Sequence, residues 1–137
     1  MAEEKLKIKI ITPERIIYDD VAAAVYVKTV DGEVGILPGH IAYMTALDIG
    51  IAKIEKADGF EYASVIGGVM QVSDNLITIL SDKAELGSDI DVTRAKSSKE
   101  RAEARLKSNE GIDIDKAQLA LMRALIRLKA ARHGNAQ

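Results

Sequence analysis

A chain of 137 residues has room for one domain, or for a small domain with an appendage, and 47% apolar with 29% charged residues is a globular rather than a disordered composition. One Phe, four Tyr and no Trp demand an aliphatic core, and the lack of Cys excludes disulfides, thiolate metal sites and cysteine nucleophiles. The net charge of −2 hides an asymmetry: residues 1–88 carry eight Lys/Arg against fourteen Asp/Glu, and residues 89–137 carry eleven against seven, so an acidic front precedes a basic rear.

The charged start MAEEKLK reads as neither a signal peptide nor a transit sequence, and no apolar run approaches the ~18 residues of a membrane-spanning helix. A reducing, cytoplasmic setting is expected. From Lys5 to Ile10 charge and aliphatic side chains alternate, which places every apolar group on one strand face. Further strands are expected at residues 15–18, 21–29, 35–37, 43–47, 51–56, 61–66, 69–72, 76–80 and near Ala84. Turn signals separate them: Asp31-Gly32, Pro38-Gly39, Asp58-Gly59, Gly67-Gly68 and Asp74-Asn75. The expected fold class is α+β, mainly β: an antiparallel β-sandwich of about ten strands over residues 1–86, then an antiparallel two-helix hairpin over 87–137.

After Gly87 the period changes from two to that of a helix. Val92, Ala95, Ala102 and Leu106 share one stripe, interrupted by Lys99. Ile114, Ala117, Leu121, Ala124, Leu128 and Ala131 alternate spacings of three and four, a heptad seam. Asp89 or Asp91 can cap the first helix and Asp113 or Asp115 the second, residues 108–111 break the two apart, and Gly134 follows the last turn. A seam of Ala and Leu is narrow, so the hairpin should lean on the sandwich or on a partner.

Catalytic signatures are missing. No glycine precedes a lysine, so there is no Walker A loop, and neither H-E-x-x-H nor G-x-S-x-G occurs. His40 and His133 are far apart in sequence, and no metal site is expected. The arginines are the more telling residues. Arg94 and Arg101 are seven apart, and Arg123 and Arg127 four apart, so each pair lies on one helix face. If those faces meet, the guanidiniums converge and favour an anion between them. The plainer alternative is local pairing of Asp91 with Arg94, Lys96 with Glu100 and Glu103 with Lys107, at about 0.2–0.5 kcal/mol each.

The stretch DGEVGILPGH at residues 31–40, the Gly67-Gly68 pair, and DVTRA opening a helical hairpin together resemble the epsilon subunit of the bacterial rotary ATP synthase, from about Lys5 to Arg132. One departure is visible: the family usually has proline two residues after the histidine, where this chain reads His40-Ile41-Ala42. Taken without the family, the glycines and Pro38 in that stretch are turn formers. The resemblance implies a non-catalytic rotor subunit on the cytoplasmic side of a bacterial cell membrane. Its sandwich would dock on the gamma subunit and the ring of c subunits, with Asp31, Glu33 and His40 in the contact loop. Its hairpin would fold against the sandwich or extend along gamma, and when extended would hinder ATP hydrolysis by the alpha–beta head. In the Bacillus type, an I/L-D-x-x-R-A motif and arginines on both helices bind ATP as a regulatory ligand, alone or with magnesium. Ile90-Asp91-Val92-Thr93-Arg94-Ala95 matches that motif. By the same resemblance Glu85 and Asp91 lie on the nucleoside side, and Arg94, Arg101, Arg123 and Arg127 on the phosphate side. Arg123, Arg127, Lys129 and Arg132 would meet an acidic surface of the beta subunit when the hairpin extends; simple complementarity to the helix dipole is the other use for that charge. The alternatives are a constitutive coupling subunit that ignores nucleotide, and a nucleic-acid-binding adaptor using the basic hairpin.

Overall fold

The computed structural model describes residues 5–108 and 114–135, with side chains described as far as Arg132. Eight strands precede two helices among these residues: β1 (Leu6–Ile11), β2 (Ile16–Ala22), β3 (Ala24–Thr29), β4 (Gly32–Ile36), β5 (Tyr43–Lys56), β6 (Gly59–Ser73), β7 (Leu76–Leu80), β8 (Ala84–Leu86), α1 (Val92–Ser108) and α2 (Ile114–Asn135). A 3-10 turn, Gly87–Asp89, links the strands to the helices. The strands form one continuous sheet in the order β2-β1-β7-β6-β5-β3-β4, with β8 beside β6, folded so that β2 lies against β5 and β8 across the core. The alternation read at Lys5–Ile10 carries through: Leu6, Ile8 and Ile10 are wholly buried, in one cluster with Val25, Ile54, Met70, Ile77 and Ile79.

Ten expected strands become eight because two pairs merge. Residues 43–47 and 51–56 are one strand, continuous through Asp48-Ile49-Gly50, and residues 61–66 and 69–72 are joined through Gly67-Gly68. That glycine pair is not a turn. It marks where one edge of β6 changes partner, from β8 at Val65↔Ala84 to β7 at Val69↔Leu80. Gly68 holds φ +130, and a Cβ there would run into the Leu80 carbonyl, so only glycine admits the crossing chain. Ser81 seals the site, its Oγ donating to the Gly67 carbonyl at 2.7 Å. The pairing of β1 with β7 is parallel, the one departure from an antiparallel sheet among the described residues. Asp74-Asn75 is a two-residue hairpin turn with φ 50 and 62, the mirror-image geometry that matches strand twist.

The helices pack as an antiparallel pair, since Ala95 near the start of α1 meets Ala130 and Ala131 near the end of α2. Ala102, Ala117 and Ala124 are buried along the seam, whereas Val92 and Ile114 at its ends are exposed. Helix α2 continues through Gly134 to Asn135 rather than stopping before it. Asp113 and residues 109–111 lie outside the described residues.

At one corner of the sandwich, Lys56 reaches from β5 to Asp20 of β2 (2.8 Å) and to Glu61 of β6 (4.0 Å), beneath the Tyr18 ring. The Tyr18 hydroxyl faces Glu61 without completing a hydrogen bond; burial first, then that carboxylate, push it up to about 12. The hydrogen bond from Lys56 holds Asp20 below 3.8, and the same bond raises Lys56 above 10.5. A depressed carboxylate stabilises the fold above its unfolded pKa and loses that effect in acid. A raised amine stabilises below its unfolded pKa and loses that effect in alkali. Lys56→Met should therefore lower the melting temperature most between about pH 5 and 9. The gap from the parent should narrow towards pH 3 and again above about pH 10.5, as read by thermal unfolding across that range.

Candidate functional site

The hairpin rests on the sandwich where β8 runs into the 3-10 turn, and the local sequence explains the fit. Ile90 is extended, leaving the turn, and is buried with Ala95, Ala130 and Ala131 against Ile51 and Leu128. Asp91 is the cap of α1: its Oδ1 accepts the Arg94 N–H at 3.0 Å and its carbonyl the Ala95 N–H at 3.0 Å. Asp89 ends the 3-10 turn. Gly87 is buried where α2 passes closest, and a Cβ there would collide with the Ala130 carbonyl and come within 3.2 Å of that of Tyr62. Within Ile90–Ala95, then, the isoleucine and alanine dock the helices, the aspartate starts α1, and the arginine alone faces the groove described next.

Between the helices and the sandwich lies a groove of about 600 Å³. Its helical wall carries Arg94, Ser98, Arg101, Arg123 and Arg127. The spacings of seven on α1 and four on α2 bring the four arginines to one side of the hairpin. Arg127 is engaged by Glu85 of β8 in a bidentate pair, Nε to Oε1 at 2.6 Å and Nη2 to Oε2 at 3.2 Å, with both side chains partly buried. Arg101 donates to Ser98 Oγ at 3.1 Å. The Arg123 Nε is buried with no hydrogen-bond partner. Local ion pairing of Asp91 with Arg94, Lys96 with Glu100 or Glu103 with Lys107 is absent from the ion pairs among the described residues. The groove is thus a cradle of guanidinium donors with one carboxylate bound in it, suited to an anion with several oxygens.

The sandwich wall of the groove brings in Thr12, Glu14, Arg15, Asp82 and Lys83, none of which the helical motifs indicated. Lys83 stands two residues before Glu85, a strand spacing that places both on one face and could have flagged it. Arg15 carries no local signal: it arrives because β1 and β7 run parallel and end together, Ile11 opposite Leu80.

The remaining candidates lie elsewhere. Asp31 is in the β3–β4 turn, where its N–H donates to Thr29 Oγ1 at 3.1 Å. His40 is half-buried, its Nδ1 2.7 Å from the Ile41 carbonyl and its ring 5.7 Å from that of Tyr43. Its loop is tied to the β6–β7 turn, Gly39 N–H donating to Asn75 Oδ1 at 2.7 Å. The β7 strand runs from that turn towards the groove, so His40 and the arginines occupy opposite ends of the sandwich. Glu33 and Lys129 line a second recess, of about 500 Å³, between α2 and the β3–β5 face. Arg132 is exposed on α2. Among the described residues no group of three His, Asp or Glu could hold a metal ion, and no helix is long and apolar enough to cross a membrane.

The family model described as ATP synthase, Delta/Epsilon chain, beta-sandwich domain matches residues 5–87, and that of the long alpha-helix domain matches residues 88–132. The chain belongs to the ATP synthase delta/epsilon family. It is 44% identical over 128 residues to the ATP synthase epsilon chain of Halalkalibacterium halodurans, and 41% identical over 126 residues to that of Desulfitobacterium hafniense. Each match spans 92% of this chain and 96% of the relative. A chain in the Euglena gracilis mitochondrial ATP synthase shares the fold at 24% identity and TM-score 0.77, over 97% of this chain and 84% of that one.

Gly87→Ala should cost about 1–3 kcal/mol, the usual penalty for forcing a methyl into a packed site. The loss should fall on the docked hairpin: hydrogen exchange in α2 should accelerate while the β1 and β7 amides keep their protection. A uniform loss across both elements would show that Gly87 supports the sandwich rather than the docking.

Proposed function

We propose that the chain is a non-catalytic subunit of the central stalk of a proton-translocating ATP synthase, a peripheral component on the cytoplasmic side of a bacterial cell membrane. The sandwich docks on gamma and on the c ring through the loops that carry Asp31, Glu33 and His40. The hairpin is a brake on ATP hydrolysis, folded when ATP is bound and inhibitory when extended along gamma towards the alpha and beta subunits. One observation carries this reading: arginines from both helices line a single groove, and one of them, Arg123, holds a buried donor that lacks a partner. Those donors fit a triphosphate, and Arg94, Arg101, Arg123 and Arg127 would hold it. A groove without the Gly-rich loop and lysine of a phosphoryl-transfer site suits ATP as a ligand rather than a substrate.

Two further features support a hairpin that moves. Leu119, Met122 and Leu125 form an exposed apolar stripe on α2, away from the alanine seam, that would find cover on extension. Lys129 and Arg132 are exposed on the same helix, and with Arg123 and Arg127 would meet an acidic surface of the beta subunit. Because Arg123 and Arg127 serve the anion in one state and that surface in the other, the two uses compete, and ATP favours the folded state by its differential affinity. A second reading, a coupling subunit indifferent to nucleotide, is favoured by the Glu85–Arg127 pair, which already satisfies one arginine without a ligand.

Titrating the purified chain with ATP separates the two. A ligand of the folded state stabilises it by RT ln(1 + [L]/Kd), about 2.7 kcal/mol at a hundredfold excess over Kd. The melting temperature should rise accordingly, and Arg94→Ala or Arg123→Ala should remove most of the rise. Equal stabilisation by ADP and GTP, or none by ATP, would refute the sensor.

A further inference from the structure

The four helix arginines supply one wall of the groove, and a ligand held by them alone would tie α1 to α2 without tying either to the sandwich. Such a ligand favours the closed hairpin, and a contact from the sandwich would add a preference for the docked state, because it is present when docked and lost on extension. The sandwich does offer Glu85, but a carboxylate repels phosphate and is already taken by Arg127. The cations that face the arginines from the sandwich are Arg15 and Lys83.

Both are presented by fixed backbone. The turn that carries Arg15 is closed by Thr12: its N–H and Oγ1 donate to the Arg15 carbonyl at 2.9 and 3.0 Å, and its Oγ1 accepts the Arg15 N–H at 3.3 Å. The Lys83 carbonyl accepts from the Ile66 N–H at 2.9 Å and from Ser81 Oγ at 3.0 Å. Neither side chain takes part in an ion pair among the described residues, and both are exposed at the groove mouth. Six basic side chains therefore line one groove against three carboxylates, Glu14, Asp82 and Glu85. The excess is three positive charges, so a single phosphate of about −2 would leave part of it unbalanced, whereas a polyphosphate chain carries enough charge to balance it and can reach from one wall to the other.

We propose that Arg15 and Lys83 are polyphosphate-binding residues. They hold the outer end of the chain, so that the ligand stitches the hairpin to the sandwich, and chain length is read at the sandwich wall. The nucleoside part rests on the ATP-sensor reading above; the polyphosphate part does not.

The experiment is isothermal titration of the full chain and of Arg15→Gln/Lys83→Gln with ATP, ADP and inorganic tripolyphosphate at constant ionic strength. Loss of two charge-assisted contacts should weaken ATP and tripolyphosphate roughly tenfold or more, with a smaller loss for ADP. The logarithm of affinity for ATP should also depend less steeply on salt in the variant. Melting of the ligand-free variant should match the parent, since both residues are exposed. If the variant binds ATP and tripolyphosphate within twofold of the parent, the assignment is overturned while the ATP reading stands. An equal loss for ADP overturns the outer-phosphate placement. Tripolyphosphate binding that depends on both residues, in a chain that does not bind ATP, supports this site and overturns the nucleotide reading. Binding of neither anion by the parent overturns both.

Discussion

The bidentate contact between Glu85 and Arg127 joins the sandwich to the hairpin, and the buried apolar cluster beside it is built largely from alanines. Ala95, Ala102, Ala117, Ala124, Ala130 and Ala131 supply most of the fully buried helical surface. A buried methyl contributes roughly 0.8 kcal/mol, against about 1.5–3 kcal/mol for a buried Leu or Ile. Close approach of backbones, at Gly87 under Ala130, replaces large side chains as the means of contact. An element held by small residues and one charged link is held weakly by construction. The sandwich, with Leu6, Ile8, Ile10, Ile54, Ile77 and Ile79 wholly buried, is not.

That contrast gives the basic groove its importance. Arginines crowded on one side of a weakly docked hairpin repel one another, and Glu85 offsets only part of the excess. Moving an equilibrium from 1:99 to 99:1 takes about 5.5 kcal/mol of differential affinity. A hairpin whose fully buried helical residues are alanines lies closer to that figure than one docked throughout by leucines and isoleucines. Leu119, Met122 and Leu125 stay exposed on α2, so these three large apolar side chains, unlike Leu128, are not spent on the docked state.

Most of the architecture was legible because each half keeps its own period. Alternation in Lys5–Ile10 and the three-four spacing from Ala117 to Ala131 are local patterns, and local geometry obeys them. The errors fall where a local pattern has two physical uses. Gly67-Gly68 has the composition of a turn, yet positive φ serves equally for a strand that must let β7 cross at its edge, and only the partner chain distinguishes the two. Gly134 resembles a helix stop, but α2 runs through it. For the groove, the helix arginines could be found by spacing, since both pairs sit on regular elements. Arg15 could not, because its position depends on the parallel register of β1 and β7, a long-range fact with no sequence signature. Ile90 and Ala95 show the reverse: residues of a motif associated with a ligand are here packed into the seam, so their effect on any ligand passes through the placement of α1.

Arg127 concentrates these forces in one side chain. Its guanidinium is committed to Glu85 in the folded hairpin, faces the groove where an anion would sit, and belongs to the basic run that would meet an acidic surface on extension. A guanidinium cannot shed its charge to relieve a poor environment, so it must have a counter-charge in whichever state the hairpin occupies. Within the proposed cycle three anionic partners contend for it: a carboxylate on the same chain, a phosphate, and a neighbouring subunit. In that proposed cycle Glu85 holds the docked state together without ligand and would compete with phosphate for the same donors. Removing the Glu85 charge would thus loosen the empty hairpin while freeing Arg127 for the ligand, two opposite effects from one carboxylate. In the proposed cycle, their balance would set how much ligand the folded state requires.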